Sequence, residues 1–209
     1  MTTSSRIRVL VADDHPLMRA GISGEVNEQD DMEVVAEAQD GIEALELFHQ
    51  FRPDVSLVDL RMPKLDGIEV IAAITSSYPG ARAIVLTMSG GDVHARRALR
   101  AGATGYLLKH MLRTDLIDTI RTVHRGHRRI PDEVARLLAE HVTDCELTAR
   151  EIAVIKGAAQ GQSNKLIGCE LCISEHTVKG HIKSILAKLG ASDRTHAVLI
   201  ALQRGFLQQ

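Results

Sequence analysis

The amino-acid sequence predicts an α/β protein in which a doubly wound, five-stranded parallel sheet is followed by an all-helical domain of four helices. Three observations support this fold class. Apolar strand-like segments alternate five times with amphipathic helical segments between residues 6 and 124, as in sheets built from β-α-β units. The strand segments are almost continuous in Val, Ile and Leu, which is expected where helices cover both faces of a sheet. Beyond residue 125 the spacing of apolar residues is helical.

The individual elements of the first half are marked at their ends. Buried strands are predicted at 7–12, 55–58, 83–86 and 105–108. Pro16 suits the first turn of a helix, and Asp40 and Asp66 each precede a glutamate by three residues, as in an N-terminal capping box. Helices are therefore predicted from 67 to 77, with a buried stripe of isoleucine and valine, and from 114 to 124, opening on Thr114.

Polar side chains follow four of these strands. Asp13 and Asp14 come after the first, Asp59 and Thr87 end two others, and Lys109 follows the last. The carboxyl ends of parallel strands meet at one edge of the sheet, where such sheets bind ligands. Crowded carboxylates stay ionised only beside a cation, and Mg²⁺ prefers a few carboxylates together with a phosphate. Each residue alone is explained as a turn residue, helix cap or solvated charge, but together they predict phosphoryl transfer onto a carboxylate.

Longer motifs surround these residues. They are Asp13-Asp14, Asp59-Leu60-Arg61-Met62-Pro63, Asp66-Gly67, Thr87 and the segment 101–109, which reads Ala-Gly-Ala-Thr-Gly-Tyr-Leu-Leu-Lys. In these motifs the first half of the chain, residues 6–124, resembles the CheY-like receiver domain of bacterial two-component response regulators. The resemblance implies that Asp59 accepts a phosphoryl group from a partner sensor histidine kinase.

The same resemblance implies roles for the residues around the phosphoacceptor. It implies a Mg²⁺ ion held by Asp14, Asp59, the backbone carbonyl of Arg61 and, directly or through water, Asp13. It implies that Lys109 pairs with the phosphoryl oxygens, that Thr87 donates a hydrogen bond to one of them, and that Tyr106 moves as Thr87 is drawn inward. Phosphorylation adds about −1.5 to −2 charge. These groups would therefore form a switch between two states.

A linker is predicted between the two halves. We expect a receiver over residues 1–125, a linker over 126–145 and a helical domain over 146–209. Residues 125–129 are a polar break, Pro131 is predicted to begin a linker helix that runs through His141, and 142–145 complete the connection.

Capping residues divide the second half into four helices, with a short one at 164–170. The residues that start or end them are Thr148 with Glu151, Gly161, Ser163, Ser174, Gly190 and Ser192. Within the short helix, Gly168 is predicted to cost about 1 kcal/mol of helix stability relative to alanine.

The helix that begins at Ser174 has two distinct faces. Its apolar face comprises Val178, Ile182, Ile185, Leu186 and Leu189, and the opposite face carries His176, Lys179, Gly180 and Lys183. On pattern alone, an ordinary amphipathic helix with a solvated basic face is favoured over a helix that enters a DNA major groove.

Longer motifs favour the DNA-binding interpretation. Segments 147–151, 161–167, 173–179, 181–182 and 188–190 resemble the LuxR-type helix-turn-helix domain, over nearly all of 146–205. With the receiver, the chain is similar to response regulators of the NarL/FixJ type. The resemblance implies contacts to base edges by Lys179, Gly180 and Lys183. The candidates for phosphate contacts are Ser163, Asn164, Lys165, Thr177 and His181.

The expected partners follow from this resemblance. They are the cognate histidine kinase, double-stranded promoter DNA and, when phosphorylated, a second copy of the chain, because one such domain neutralises few phosphates. RNA polymerase is a further candidate. An apolar stripe in the last helix serves either for pairing between copies or for packing onto 149–159; it contains Ala197, Val198, Ile200 and Ala201.

Composition narrows the class of protein. The chain has 209 residues, 44% of them hydrophobic, and a net charge of −2, with no Trp. Residues 1–125 carry 14 basic against 18 acidic groups, whereas 146–209 carry 8 against 5, which indicates different partners for the two halves. We expect no membrane association and a cytoplasmic location, because the sequence has no apolar segment of membrane-spanning length, no apolar signal at its start and only three cysteines.

The sequence is also compatible with two other functions. The first is a DNA-binding regulator that is independent of phosphorylation, with the receiver as a docking module. The second is a phosphohydrolase with an aspartate nucleophile, which the absence of a cap insertion between the strands argues against. We predict that the chain is not an enzyme beyond phosphoryl acceptance and autodephosphorylation. Cys169 and Cys172 form a C-x-x-C pair that we interpret as packing, with a metal or thiol-redox role as the alternative.

Overall fold

The structure, a computed structural model, describes residues 6–88, 91–140 and 147–207. The chain divides into two compact units, Met1–Gly90 with Ala95–Ala135, and Gly91–His94 with Arg136–Gln209. The first contains a parallel sheet, and the described part of the second is helical. The predicted fold class is therefore confirmed.

One five-stranded parallel sheet forms the centre of the first unit. Its strands are β1 (Ile7–Ala12), β2 (Met32–Ala38), β3 (Val55–Asp59), β4 (Ala83–Thr87) and β5 (Gly105–Leu108). Their order is β2-β1-β3-β4-β5. The chain winds to one side of β1 to make β2 and to the other side to make β3. The carboxyl ends of β1 and β3 therefore border the crevice at which sheets of this kind bind ligands.

Helices cover both faces of this sheet. They are α1 (Pro16–Asn27), α2 (Gly41–Phe51), α3 (Gly67–Ser77), α4 (Asp92–Arg100) and α5 (Leu112–His124). Helices α1 and α5 pack together, as do α2 and α3. The core between the sheet and α1 and α5 is aliphatic and includes Val9, Leu57, Ile84, Ile120 and Val123. Each such side chain contributes about 1.5–3 kcal/mol by leaving water.

The predicted caps are present, with one difference in detail. Asp66 accepts a hydrogen bond from Glu69 N at 2.8 Å, and Glu69 accepts one from Asp66 N at 3.0 Å, which completes a capping box. Asp40 accepts from Glu43 N, but the Glu43 carboxylate accepts from Gln39 N rather than from Asp40 N.

Helix α5 begins earlier than predicted. Thr114 was expected to open the helix, whereas α5 starts at Leu112 and follows directly on a 3-10 turn at Lys109–Met111. That turn already supplies helical backbone ahead of α5, so no side-chain cap is needed. Thr114 Oγ1 instead donates to Met111 O at 3.1 Å, within the first turn.

After α5 the chain returns to the sheet. Arg129 N donates to Thr104 O at 3.1 Å, and Arg129 O accepts from Tyr106 N at 2.9 Å, which makes a parallel bridge between Gly105 and Arg129. The start of the linker therefore lies along β5, which would otherwise be an edge strand of the sheet. The linker helix follows as α6 (Asp132–Glu140); the predicted end at His141 and residues 142–145 lie outside the described residues.

The second unit contains α7 (Ala149–Ala159), α8 (Asn164–Glu170), α9 (Glu175–Leu189) and α10 (Arg194–Arg204). Thr148, Ser163 and Ser174 cap the first three of these helices as predicted. The prediction for the last helix was wrong by one residue. Asp193 rather than Ser192 caps α10, because its carboxylate accepts from His196 N at 2.9 Å.

The structure explains why position 168 is glycine, which its place within a helix did not indicate. A Cβ at this position would lie 2.7 Å from the backbone carbonyl oxygen of Ile173, in the turn between α8 and α9. Gly168 O also accepts a hydrogen bond from Ile173 N at 2.9 Å. The predicted gain from alanine is therefore wrong, since the turn approaches this residue too closely for a side chain.

Candidate functional site

An acidic cluster lies where β1 and β3 end. Ligand atoms of Asp13, Asp14, His15 and Asp59 all lie within 4.8 Å of one another. Asp13 and Asp59 are buried, while the Asp14 side chain is about one-third exposed. Parallel pairing of β1 with β3 brings the aspartates together across 45 positions of sequence or more.

Lys109 lies within this cluster as a buried cation. Its ammonium is 2.8 Å from Asp13 Oδ2 and 2.9 Å from Asp59 Oδ2. Lys109 reaches them because it directly follows β5, two strands away from β3, and begins the 3-10 turn. The alternative interpretation of Lys109 as a solvated charge does not agree with its burial.

Burial and charge act on these groups in opposite directions. Burial raises the pKa of Asp59, and the nearby carboxylate of Asp13 raises it further, against the hydrogen bond and charge of Lys109, which lower it. Burial acts to lower the pKa of Lys109, but its bonds to Asp13 and Asp59 outweigh this effect, so that its pKa is raised. Lys109 therefore stays charged at neutral pH.

Thr87 and Tyr106 lie on the neighbouring strands. Thr87 ends β4 and is buried, and Tyr106 on β5 is completely buried. Burial raises the pKa of Tyr106, and a hydrogen bond with Thr87 opposes the increase. The phenol therefore remains protonated, and its position is coupled to that of the Thr87 hydroxyl.

The chain after Asp59 is held close to the cluster. The Arg61 backbone N–H hydrogen-bonds the Asp59 carboxylate and acts to lower its pKa. Gly67 N donates to Leu60 O at 3.1 Å, and a Cβ at Gly67 would overlap the backbone carbonyl oxygen of Asp59. The start of α3 therefore needs glycine, because it packs directly against the end of β3.

The donor set of the cluster fits a hard divalent cation. Three carboxylates and one ammonium leave two negative charges to be neutralised, and carboxylate oxygens are the ligands that Mg²⁺ prefers. The residues able to hold such an ion are Asp13, Asp14 and Asp59, with the backbone carbonyl of Arg61 close by in sequence. Sequence reasoning missed His15 as a member of this cluster, although it directly follows Asp14.

The second unit presents an exposed basic helix face. Lys179, Gly180 and Lys183 on α9 are exposed, whereas Val178 and Ile185 on the opposite face are completely buried. Lys179 pairs with Glu175 one turn earlier, with 2.9 Å between Nζ and Oε1.

The residues predicted to contact phosphates lie at the start of α8 and on α9 itself. Ser163, Lys165 and Thr177 are exposed, and Asn164 and His181 are half-buried. Asn164 Oδ1 accepts a hydrogen bond from Arg194 Nη1 at 2.8 Å, so α10 fixes the start of α8. Sequence reasoning did not single out Arg194.

Glu151 links α7 to α9. Its carboxylate accepts hydrogen bonds from Thr148 N at 2.7 Å and from Ser184 Oγ at 2.6 Å, and it pairs with Lys188 Nζ at 2.7 Å. Burial acts to raise its pKa, but the bonds to Lys188, Ser184 and Thr148 lower the pKa of Glu151 to about 2. The capping box predicted from sequence is therefore also a connection to the basic helix.

The apolar stripe of α10 is used in packing at two of its positions. Ala197 and Ala201 are buried in the core of the second unit, where α10 contacts α7.

Cys169 and Cys172 are free and exposed. Neither belongs to the group of candidate metal ligands found among the described residues.

Comparison with known proteins gives matches to both halves of the chain. The model of the response regulator receiver domain matches residues 9–121, and that of the luxR family of bacterial regulatory proteins matches residues 146–201. An uncharacterized transcriptional regulatory protein of Bacillus subtilis, YxjL, is 40% identical over 97% of this chain and 98% of its own length. The response regulator protein VraR of Staphylococcus aureus is 36% identical over 97% of this chain and 99% of its own length.

Solved structures are similar over both halves as well. The response regulator ChrA of a heme-sensing two-component system is 36% identical, covering 97% of this chain and 100% of its own, with a TM-score of 0.58. RcsB of Salmonella typhimurium is 28% identical, covering 93% and 98%, with a TM-score of 0.70. An RcsB–DNA complex is 27% identical, covering 95% and 99%, also with a TM-score of 0.70. Within the described part of the chain, no helix combines the length and apolar character needed to cross a membrane.

Proposed function

Since this chain belongs to the response regulators that join a receiver domain to a LuxR-type DNA-binding domain, we propose that phosphorylation of Asp59 controls its binding to promoter DNA. The observation that carries this proposal is the convergence of Asp13, Asp14, Asp59 and Lys109 on one spot. The domain boundaries proposed are 1–125 for the receiver, 126–145 for the linker and 146–209 for the DNA-binding domain.

The receiver would hold one Mg²⁺ ion. Its ligands would be Asp13, Asp14, Asp59 and the backbone carbonyl of Arg61, which supply oxygen donors and the two negative charges that Lys109 leaves unneutralised. When bound, the ion neutralises the carboxylates and orients phosphoryl oxygens. In its absence Lys109 is the cation that Asp13 and Asp59 share.

Phosphoryl transfer uses Asp59 as the nucleophile. A carboxylate oxygen of Asp59 attacks the phosphorus of a phosphohistidine on a partner kinase, the P–N bond breaks, and its electron pair returns to the imidazole nitrogen, which takes up a proton. The product is an acyl phosphate on Asp59. Lys109 Nζ already lies 2.9 Å from Asp59 Oδ2 and is placed to pair with the new phosphoryl oxygens. Attack of water on the phosphorus later breaks the P–O bond to Asp59, which releases inorganic phosphate and restores the carboxylate, and this autodephosphorylation is the extent of its catalysis.

The conformational response would begin at Thr87. Its hydroxyl hydrogen-bonds Tyr106 in the unphosphorylated structure, and a phosphoryl oxygen on Asp59 offers it a second, charged acceptor. Moving Thr87 toward Asp59 breaks or redirects its bond to Tyr106, which is completely buried. The two arrangements of this pair constitute the switch, because each is favoured by one phosphorylation state.

DNA recognition would use the exposed face of α9. Lys179 and Lys183 reach base edges, where each lysine contributes about 1–3 kcal/mol of discrimination, and Gly180 lets the helix approach closely. The phosphate contacts come from Ser163, Asn164, Lys165, Thr177 and His181. The activated protein binds as a homodimer, since two half-sites double the number of phosphates neutralised. A regulator that binds bacterial promoters works in the cytoplasm, where the DNA is, and we propose RNA polymerase as a further partner.

The test compares DNA binding with and without phosphorylation. Duplex fragments are first selected from a random library with protein treated with a small phosphodonor and Mg²⁺, and affinity is then measured by footprinting. We expect phosphodonor to tighten binding of the wild type by about tenfold or more, and to leave Asp59→Asn unlabelled and unchanged. Asp118→Asn, an exposed aspartate on α5, is the matched control and should behave as the wild type. Equal occupancy with and without labelling would instead favour a receiver that acts only as a docking module.

A further inference from the structure

The histidine that follows the aspartate pair belongs to the acidic cluster by geometry. His15 Nδ1 lies 2.7 Å from Asp14 Oδ1 and 3.6 Å from Asp13 Oδ1. We propose that His15 supplies a nitrogen ligand to the divalent cation, and that this site therefore accepts Mn²⁺ and other first-row divalent ions more readily than an all-oxygen site would. This inference rests on the proposed function, in that it takes cation binding at the phosphoacceptor site as given.

The donor atoms lie near, but not at, the separations that shared coordination of one ion requires. Ligands of an octahedral ion lie about 2.1 Å from the metal, so neighbouring ligands are about 3.0 Å apart and opposite ones about 4.2 Å. The 2.7 Å from His15 Nδ1 to Asp14 Oδ1 is near the first value, the 3.6 Å to Asp13 Oδ1 lies between the two, and the donor atoms lie within 4.8 Å of one another, somewhat beyond the second. Side-chain rotations are therefore needed to bring all the donors, the imidazole included, to one ion.

The backbone holds His15 in this position. It is the N-cap residue of α1, with extended backbone (φ −87°, ψ 110°), and Pro16 restricts it from continuing the helix backwards. His15 N donates to Asp13 Oδ1 at 2.9 Å, which holds the His15 backbone next to the buried Asp13. The ring therefore starts next to the carboxylates, and its side chain is 72% exposed, so entering ions can reach it.

The chemistry of imidazole sets the expected selectivity. A neutral imidazole adds a ligand without adding charge, so the two unneutralised negative charges still match one divalent cation. Mg²⁺ is a hard ion that takes oxygen ligands, whereas first-row transition ions gain from a nitrogen donor. In the absence of an ion, Nδ1 is hydrogen-bonded to Asp14 Oδ1; in the loaded site the ring proton would reside on Nε2.

The experiment measures coordination directly. Full-length protein loaded with Mn²⁺ is studied by electron spin-echo spectroscopy, which detects the nitrogen nucleus of a coordinated imidazole. We expect a nitrogen coupling in the wild type that is absent in His15→Gln and retained in His110→Gln, a matched control in which an exposed histidine beside Lys109 is replaced. Titration should show that His15→Gln loses about tenfold in Mn²⁺ affinity and changes little in Mg²⁺ affinity.

Two results would overturn the inference: no nitrogen coupling in the wild type, or a coupling that persists in His15→Gln. Labelling with a small phosphodonor in Mg²⁺ separates this failure from failure of the proposed function. If wild type and His15→Gln are both labelled on Asp59 but no nitrogen coupling is found, the inference alone is wrong. If the wild type is not labelled in Mg²⁺, the proposed function itself fails.

Discussion

Lys109 Nζ lies 2.9 Å from Asp59 Oδ2, although fifty residues separate the two in sequence. The same ammonium lies 2.8 Å from Asp13 Oδ2, so that a single buried cation serves two buried carboxylates. Without it, like charges would face one another in surroundings of low dielectric constant. Lys109 is thus a structural cation of the receiver, in addition to the role in pairing with the phosphoryl group that we propose for it.

Replacing Lys109 with methionine should destabilise the receiver when no divalent cation is present. Removing one partner of a buried ion pair costs about 3–5 kcal/mol because a charge is left uncompensated. The loss should be measured by urea unfolding in a chelator. Lys64→Met is the matched control: Lys64 is exposed, and its buried partner Asp40 still accepts hydrogen bonds from Ile42 N and Glu43 N, so the loss should be smaller. Equal stability of the two variants would contradict the role assigned to Lys109.

Addition of Mg²⁺ should raise the melting temperature of the wild type. A ligand that binds only the folded state stabilises it by about 2.7 kcal/mol at a concentration one hundred times its Kd. Asp14→Asn should reduce this gain, because it removes one oxygen ligand and one negative charge from the cluster. Thermal unfolding with and without Mg²⁺ measures both effects, and a chelator should abolish labelling by a small phosphodonor. An undiminished shift in Asp14→Asn would argue against this ligand set.

Glu151 should make the DNA-binding unit sensitive to acid. Its folded-state pKa of about 2 lies below its ordinary value of 4.5. The ionised carboxylate therefore stabilises the fold above about pH 4.5, and this contribution is lost as the pH falls toward about 2. Glu151→Gln should be less stable than the wild type by about 1–3 kcal/mol near neutral pH, and the difference should shrink toward about pH 2.

Urea unfolding at a series of pH values measures this dependence. Glu170→Gln, an exposed glutamate on α8, is the control and should not change the slope. A stability difference between Glu151→Gln and the wild type that stays constant down to the acid limit would exclude the ionised carboxylate as its source.

Two glycines of the DNA-binding unit should respond in opposite ways to alanine. Gly168→Ala places a Cβ 2.7 Å from Ile173 O and should destabilise the unit by about 1–3 kcal/mol, as overpacking does. Gly180→Ala meets no atom within 4 Å and should stabilise α9 by up to about 1 kcal/mol. Chemical unfolding of the two variants tests both expectations. A stabilising Gly168→Ala would show that the turn between α8 and α9 yields easily.

Replacing Arg129 with proline should loosen the pairing of the linker with β5. Proline has no N–H to donate to Thr104 O, whereas Arg129→Ala retains it and serves as the control. We expect the Tyr106 amide, which donates to Arg129 O, to exchange its hydrogen about tenfold faster in the proline variant, the equivalent of one net hydrogen bond. Hydrogen exchange followed by nuclear magnetic resonance reports this amide directly. Equal rates in both variants would mean that the pairing contributes little.

The strand-end positions of the chemical groups made much of the first unit predictable. Asp13, Asp14, Asp59 and Thr87 each follow or end a run of mainly apolar residues, and parallel topology brings such ends to a common edge. The capping boxes at Asp66 and Thr148 were predictable for the same kind of local reason.

Other features depend on contacts that no local pattern reports. The bridge between Lys109 and two aspartates depends on the distance between β5 and β1, and the hydrogen bond that Ser184 donates to Glu151 depends on the packing of α7 on α9. Gly168 was misjudged because helix propensity considers one helix by itself, whereas the close approach comes from Ile173 beyond its end. The start of α5 was misplaced because a 3-10 turn can replace a capping side chain.

The bridge between Gly105 and Arg129 consists of main-chain atoms. Any amino acid except proline can maintain it, so other substitutions at position 129 leave the hydrogen bond from Tyr106 N to the carbonyl oxygen of residue 129 intact. Alanine scanning would therefore show no loss of this pairing at residue 129. Replacing the amide of residue 129 with an ester removes the N–H that donates to Thr104 O and is therefore the change that measures what this pairing contributes.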